Sequence, residues 1–350
     1  MITVITKQAS VAIGNVMRAV PKRSMVPMDQ CIKLSVRDGV LMMMSFGASD
    51  GLSMSDGLEI VGGVDIPPAA VDAQRLNQVM RTAIGDTIQL KIVKDRLFFK
   101  SGTMSARFST QDPEMFLSEI EPLDLLLEME LGDFRSVTRS LMFLCDRIEY
   151  PGNYSGAFNI GKYFLSTNNA FAVGRSFVSD DMEGSYWVPA YSMNHVARSA
   201  SSKVSIYLTH YGIKFVSNYL NVDVSLVDSA GQDFSRAFAR LPGLSMATVD
   251  RKRLSDLLSA AAIFAKDFSQ YVSVTLSNNQ LDLLVGKDVF SASVEAEYAD
   301  DLMFGVNCHV LNSIVSNIPG DDVHIGCVDG RMIYITSGKT EYALSGMSLR

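Results

Sequence analysis

The sequence predicts an α+β fold built from three copies of one unit, each with two helices and about eight short strands. Three observations carry this: a short motif that recurs at nearly constant spacing, a strand–turn–strand pattern behind each copy, and an apolar helical stripe ahead of it. The motif is Val, four residues, Leu or Met, Asn, one residue, Val or Ile. It runs from Val71 through Leu76 and Asn77 to Val79, from Val188 through Met193 and Asn194 to Val196, and from Val306 through Leu311 and Asn312 to Ile314. The copies start 117 and then 118 residues apart. Apolar steps of five and then three suit one face of a short helix together with its entry residue.

Behind each motif lie two runs of β formers around a turn: 90–93 and 97–101, 204–208 and 213–217, 323–328 and 333–337. Each second run ends in a serine (Ser101, Ser217, Ser337) followed by Gly102, Asn218 or Gly338. These are hairpin signals. A third strand follows at 105–110, 220–227 and 340–344. Ahead of the motif stands a second helix per copy. Its stripe is Phe134, Val137, Thr138 and Leu141 in the second copy, Leu254, Leu257, Leu258 and Ala261 in the third, and the weaker Ala9, Ala12, Ile13 and Val16 in the first. Further strands follow at 32–36 and 40–45, 156–160 and 163–166, and 272–276 and 280–285. The units are read as 1–124, 125–243 and 244–350. Their joins are at 111–130, which holds seven acidic residues and no basic one, and around 240–244.

The 350 residues suffice for two or three domains. A composition of 47% hydrophobic and 20% charged residues supports large cores and excludes a disordered chain. The net charge of -7 excludes a bulk polycation. No apolar run approaches the roughly 18 residues of a membrane helix, and the first residues lack the basic region and apolar core of a signal peptide. Four scattered cysteines, Cys31, Cys145, Cys308 and Cys327, fit reduced thiols in a cytoplasmic protein.

The sequence holds no HExxH, GxSxG, P-loop or GxGxxG pattern. Cys308, His309, His324 and Cys327 leave two readings open, a zinc site or buried thiols beside surface histidines. Neighbours in sequence point apart on a helix or strand, which disfavours the metal. The pairs Asp180–Asp181 and Asp321–Asp322 read as acid–base carboxylates or as solvated turn residues, and their polar surroundings favour the turns. No enzyme, metal or cofactor is therefore expected.

The charge is unevenly placed. Helix windows 7–20, 72–83, 131–145, 189–203, 250–267 and 307–318 hold twelve basic and five acidic residues, a net of +7, whereas the remainder nets -14. Arg135 and Arg139 are four apart and off the apolar stripe, so they project together. Such helices are either a solvated surface or a positive surface for a phosphate backbone. No base-reading motif appears, so a DNA partner would be held by its backbone.

The repeat and its charge pattern resemble the bacterial DNA polymerase III β sliding clamp over essentially the whole chain. Gly47-Ala-Ser-Asp50 resembles the family's strand-ending Thr-Asp turn. Ile66-Pro-Pro-Ala-Ala-Val71 and Val188-Pro-Ala190 are similar to its Val-Pro-Ala lead into a helix. Phe99-Lys-Ser-Gly102 with Arg107-Phe-Ser109 is similar to its Ser-Gly, Arg-Phe-Ser hairpin. Asp233-Phe234 with Arg240-Leu-Pro242, Ser277-Asn-Asn-Gln-Leu281 and Val306-Asn307 match in order and spacing.

The resemblance implies a non-enzymatic processivity factor. Two chains would close head to tail into a ring, with helices lining the hole around duplex DNA and sheets outside. It implies backbone contacts by Arg18, Lys22, Arg75, Arg81, Arg135, Arg139, Arg198, Lys203, Arg251, Lys252 and Arg253. It implies a pocket for a short linear motif of the polymerase and clamp loader at Tyr154, Thr167, Ala172, Pro242, Phe268, Asn307, Val310, Leu344 and Met347. It places the subunit edge at Gln78, Thr82 and Thr110 facing Ile263 and Phe264. Departures accompany it. The family's Thr-Asp-Gly-His-Arg-Leu turn is here Thr167-Asn-Asn-Ala-Phe-Ala172, and its C-terminal Met-Pro-Met-Arg-Leu is Ser345-Gly-Met-Ser-Leu-Arg350. Such drift fits a phage- or plasmid-encoded clamp with its own replisome. The alternative without the resemblance is a repetitive β-rich structural or assembly protein with no DNA role.

Overall fold

The computed structural model describes all residues except 22, 48–50, 117–118, 146–155, 169–171, 228–233, 267–269, 287–288, 299 and 348–350. The first repeat holds β1 (Ile2–Ile5), α1 (Thr6–Val16), β2 (Cys31–Arg37), β3 (Val40–Gly47), β4 (Leu52–Gly63), β5 (Ala69–Asp72), α2 (Ala73–Arg81), β6 (Thr87–Val93), β7 (Arg96–Ser101) and β8 (Met104–Ser109). The second holds β9 (Leu125–Met129), α3 (Leu131–Met142), β10 (Ala157–Gly161), β11 (Tyr163–Thr167), β12 (Ala172–Phe177), β13 (Ser185–Pro189), α4 (Ala190–Ser199), β14 (Val204–Leu208), β15 (Gly212–Ser217) and β16 (Leu220–Ser225). The third holds β17 (Ala247–Asp250), α5 (Arg251–Ala265), β18 (Tyr271–Ser277), β19 (Gln280–Val285), β20 (Phe290–Glu297), β21 (Leu302–Asn307), α6 (Cys308–Asn317), β22 (Asp322–Val328), β23 (Met332–Ser337) and β24 (Thr340–Ser345). Each repeat thus runs strand, helix, four strands, helix, three strands.

The recurring motif does what its spacing predicts. Val71, Val188 and Val306 enter the second helix of each repeat, and Leu76, Met193 and Leu311 are buried on it. Asp72 caps α2 by accepting from Arg75 N at 2.7 Å. Asn307 caps α6 by accepting from His309 N and Val310 N at 3.0 and 3.1 Å. These caps satisfy backbone donors left over in a first turn. The repeated serines also have a common task. Ser101 Oγ donates to Thr87 O (2.9 Å), Ser217 Oγ to Ser202 O (3.0 Å) and Ser337 Oγ to Asp322 O (2.8 Å). Each ties the hairpin end to the segment that follows the helix. The next residue sits in the left-handed region, with φ of 57° at Gly102, 56° at Asn218 and 58° at Gly338. Glycine and asparagine tolerate that conformation best, which explains their alternation there.

The join at 111–130 contains a strand that the sequence reading omitted. Leu125–Met129 pairs with β14, with Met129 opposite Val204. Its acidic neighbours mask it as a linker. Strands β1, β4, β5, β12, β13, β17, β20 and β21 also go beyond the sequence reading. They are short, or carry Ser, Gly and acidic residues that blur the two-residue alternation; β4 places Asp56-Gly57 mid-strand.

Two compact units result. One comprises Met1–Leu131 with Ser192–Leu226, and the other Gly132–Tyr191 with Val227–Arg350. Among the described residues each contains one 12-stranded sheet of antiparallel pairs. The second repeat is divided because its two groups of strands hydrogen-bond to different neighbours. In the first unit β16 joins β4, with Val224 opposite Leu52 and Asn221 opposite Ser55. In the second unit β12 joins β24, with Ala172 opposite Leu344 and Ser176 opposite Thr340. Both seams follow one rule: the fourth strand of a repeat pairs with the eighth strand of the next. In the first unit, α1 buries Ala9, Ala12, Ile13 and Val16 against Leu76 and Met80 of α2 and strand residues including Leu34, Leu90 and Phe99. In the second, α5 and α6 meet through Ser255 Oγ and Ser316 Oγ at 3.0 Å, with Leu254, Leu258, Leu311 and Ile314 buried.

Candidate nucleic-acid and partner surfaces

Among the described residues, the six α-helices as folded carry nine basic and two acidic residues, a net of +7. Arg75, Arg81, Arg135, Arg139, Arg198, Lys252 and Arg253 are exposed on them. On α3, Arg135 and Arg139 stand on the exposed side while Phe134, Thr138 and Leu141 are buried. Arg251 is half-buried and its Nε donates to Gly320 O at 2.5 Å. Arg253 lies 3.7 Å from Glu295. Lys203 is past the end of α4 and pairs with Glu128 at 2.6 Å; that hydrogen bond raises its pKa and lowers that of Glu128. Its charge is shared with a carboxylate, so it contributes less to a phosphate surface than the helical arginines. Arg18 follows α1 and is half-buried. Lys22 lies outside the described residues.

The expected peptide pocket divides into a buried and an exposed set. Thr167, Ala172 and Leu344 are buried at 0%, 4% and 1% exposure, so they form the floor of any such site and not its wall. Thr167 Oγ1 donates to Ala172 O at 3.0 Å, and Asn168 Oδ1 accepts from Ala172 N at 2.9 Å. The altered turn therefore closes on itself at its base. Pro242 and Met347 are exposed, Val310 is half-buried, and Met347 pairs through its backbone with Gly305. Asn307 is occupied as the cap of α6. Phe238, Tyr334 and Ala343 form a cluster with Val173, Leu241, Leu244 and Met332, which the sequence reading missed because no periodicity joins those segments. Tyr154 and Phe268 lie outside the described residues.

At the expected subunit edges, Gln78 is exposed on α2, Thr82 is exposed just past its end and Thr110 is half-buried beyond β8. Ile263 is 68% exposed on α5. Phe264 stacks on Phe290, with ring centroids 5.4 Å apart at 24°. Two strand edges lie open beside them among the described residues. β8 pairs only with β7, and Phe290–Glu295 of β20 only with β19. They are the eighth strand of the first repeat and the fourth strand of the third, the two left over by the seam rule.

Among the described residues no group of three His, Cys, Asp or Glu is placed to hold a metal. Cys308 is buried, which pushes its thiol up to about 11, and His324 Nδ1 lies 3.0 Å from Thr248 Oγ1.

Comparison with solved structures places this architecture. The chain matches the DNA polymerase III subunit beta of Pseudomonas aeruginosa with a TM-score of 0.85, at 17% identity, covering 99% of this chain and 100% of that one. It matches the beta subunit of Thermotoga maritima with a TM-score of 0.83 at 16% identity, over 100% and 99%. The chain has the sliding-clamp fold. A curated relative, the beta sliding clamp of Rickettsia bellii, is 23% identical over 91% of each chain. No family model matches. The chain is thus similar over nearly its whole length to β sliding clamps, at an identity where most side chains differ.

Proposed function

We propose that the protein is a DNA sliding clamp, a non-catalytic ring that encircles duplex DNA and tethers replication proteins. The observation that carries this is the seam rule together with the +7 helices. Three repeats, 1–124, 125–243 and 244–350, use their fourth and eighth strands to join, and one fourth and one eighth strand remain. Pairing β20 of one chain with β8 of a second, head to tail, repeats the internal seam and closes a two-chain ring. Arg75, Arg81, Arg135, Arg139, Arg198, Arg251, Lys252 and Arg253 then supply numerous contacts to phosphates without a base-reading element, which suits sliding. A short motif of the polymerase or loader would lie over Val310, Pro242 and Met347, and Met347→Asp should weaken polymerase capture while leaving the oligomer intact.

Topology is the test. Once loaded on a closed circle, the protein should stay bound at salt that abolishes backbone contacts, and cutting the circle should release it. Arg135→Glu with Arg139→Glu changes the charge by four units per chain and should impair loading or sliding without unfolding, since both side chains are exposed. Equal loss from circular and linear DNA at high salt would mean ordinary electrostatic binding and would sink the clamp reading.

A further inference from the structure

We propose that a cleft in the first unit, where β4 passes from β16 to β1, seats an arginine side chain carried by a partner protein. One edge of β4 pairs with β16 as far as Ser55 and with β1 from Ile60 onward. Among the described residues, 56–59 have a strand neighbour only on the other edge, in β3. A cleft of about 490 Å³ opens at this gap, walled by α1, β4, the end of α4 and the β15–β16 turn. That volume is in the range of binding pockets. The mid-strand Asp56-Gly57 serves this gap. A Cβ on Gly57 would stand 3.1 Å from Tyr219 Cβ, so the glycine lets the turn close on β4, while Asp56 reaches Asn15 of α1.

Two carboxylates and a hydroxyl line the cleft with bonding capacity left over. Asp56 Oδ2 accepts from Asn15 Nδ2 at 2.7 Å and Oδ1 from Gly57 N at 2.9 Å, which leaves a lone pair on each oxygen. Burial raises its pKa against those two hydrogen bonds, a cost that a bound cation would offset. Glu59 accepts from the Tyr219 hydroxyl at 3.3 Å. Among the described residues neither carboxylate has an ion-pair partner, and neither has Lys7, which stands exposed in the same wall. Ser199, the last residue of α4, is 9% exposed, and its Oγ is screened from water with no partner. Buried hydroxyls are nearly always paired, so this one marks a missing group. Leu58 and Leu220 add a buried apolar wall, and Val11 is 58% exposed. An arginine side chain matches each feature. Its planar fork of N–H donors serves the carboxylates and the hydroxyl, the Tyr219 ring can take its flat face, and its methylenes lie on the apolar wall. An anion would meet two carboxylates. A small hydrated cation would leave Val11 bare, whereas the segment carrying the arginine covers it. The seat does not depend on the chain encircling DNA.

The experiment titrates the peptide acetyl-Ala-Arg-Ala-amide into the full-length protein at constant ionic strength. The backbone amide of Gly57 and the side-chain amide of Asn15, both bonded to Asp56, are followed by NMR. Both should shift and saturate at millimolar peptide. Citrulline in place of the arginine keeps the shape without the charge and should weaken binding at least about tenfold. Asp56→Asn should do the same. Ser199→Ala should weaken binding about fivefold, the loss of one hydrogen bond. It should not lower the melting temperature, because it removes an unpaired group, so lost binding is not lost fold. Glu295→Gln, on β20 outside the cleft, should change nothing. No saturable shift, an equal response to the citrulline peptide, or binding that survives both Asp56→Asn and Ser199→Ala overturns the proposal. Spermidine acting as strongly as the peptide would mean diffuse charge attraction and would overturn it too.

Discussion

Ile263→Glu should convert the protein from a dimer near twice 38.3 kDa into a monomer in sedimentation. Ile263 is 68% exposed in the single chain, so a carboxylate there is solvated and the protomer folds. In the proposed head-to-tail ring the same position would be covered by the first repeat of a second chain. Burying the isoleucine contributes about 2 kcal/mol, and a buried, unpaired carboxylate costs several kcal/mol more. Their sum weakens each contact by roughly a thousandfold or more, and a two-chain ring contains the contact twice. Retention on circular DNA should vanish with the dimer. Phe264→Glu is a less clean variant, because Phe264 also stacks on Phe290 within the chain. A stable wild-type monomer at micromolar concentration, a trimer, or an Ile263→Glu protein that stays dimeric would refute the two-chain ring.

Lys214→Ala should lower the stability of the first unit by about 3–5 kcal/mol, the usual cost of leaving one member of a buried ion pair alone. Lys214 on β15 and Asp223 on β16 are direct cross-strand partners, 3% and 7% exposed. Lys214 Nζ donates to Ile120 O at 2.8 Å and lies 3.5 Å from Asp223 Oδ1, an ion pair too long to be a good hydrogen bond. Burial is the main reason that the Asp223 carboxyl is pushed up to about 6; Lys214 opposes that rise and Glu119 adds to it. Because the folded-state value lies above the ordinary 3.8, the folded protein holds this proton more tightly than the unfolded chain. The associated stability is full below about pH 4 and is lost as pH rises through about 6. Without Lys214 the carboxyl should titrate higher still. The penalty of the substitution should therefore be larger at pH 8 than at pH 5 in denaturant melts. A penalty independent of pH would show that the lost lysine contributes through packing alone.

The repeat was legible in the sequence because it rests on short-range physics. The helix entry at Val71, Val188 and Val306, the buried Leu or Met five residues on, and the serine followed by a left-handed Gly or Asn each depend on a few adjacent residues. Such local requirements leave a mark at fixed spacing even when most side chains drift. The positive helices were legible for the same reason, since Arg135 and Arg139 need only an exposed helix face. Strands such as β4 and β9 were not, because what holds them in place is a partner far along the chain: Leu52 opposite Val224, Met129 opposite Val204. Leu344 and Thr167 read as pocket residues by position, and their burial follows from strand packing that no neighbouring residue encodes.

By itself, then, the sequence determined three α+β repeats, basic helices in an acidic chain and the absence of any familiar catalytic motif, all properties of residues close together along the chain. The tertiary structure alone decided how the repeats join, through β4–β16 and β12–β24, and which strand edges that rule leaves open. It alone set Lys214 against Asp223. Strand register and the meeting of like or opposite charges depend on which distant segments fold together, and no pattern of neighbours along the chain encodes that.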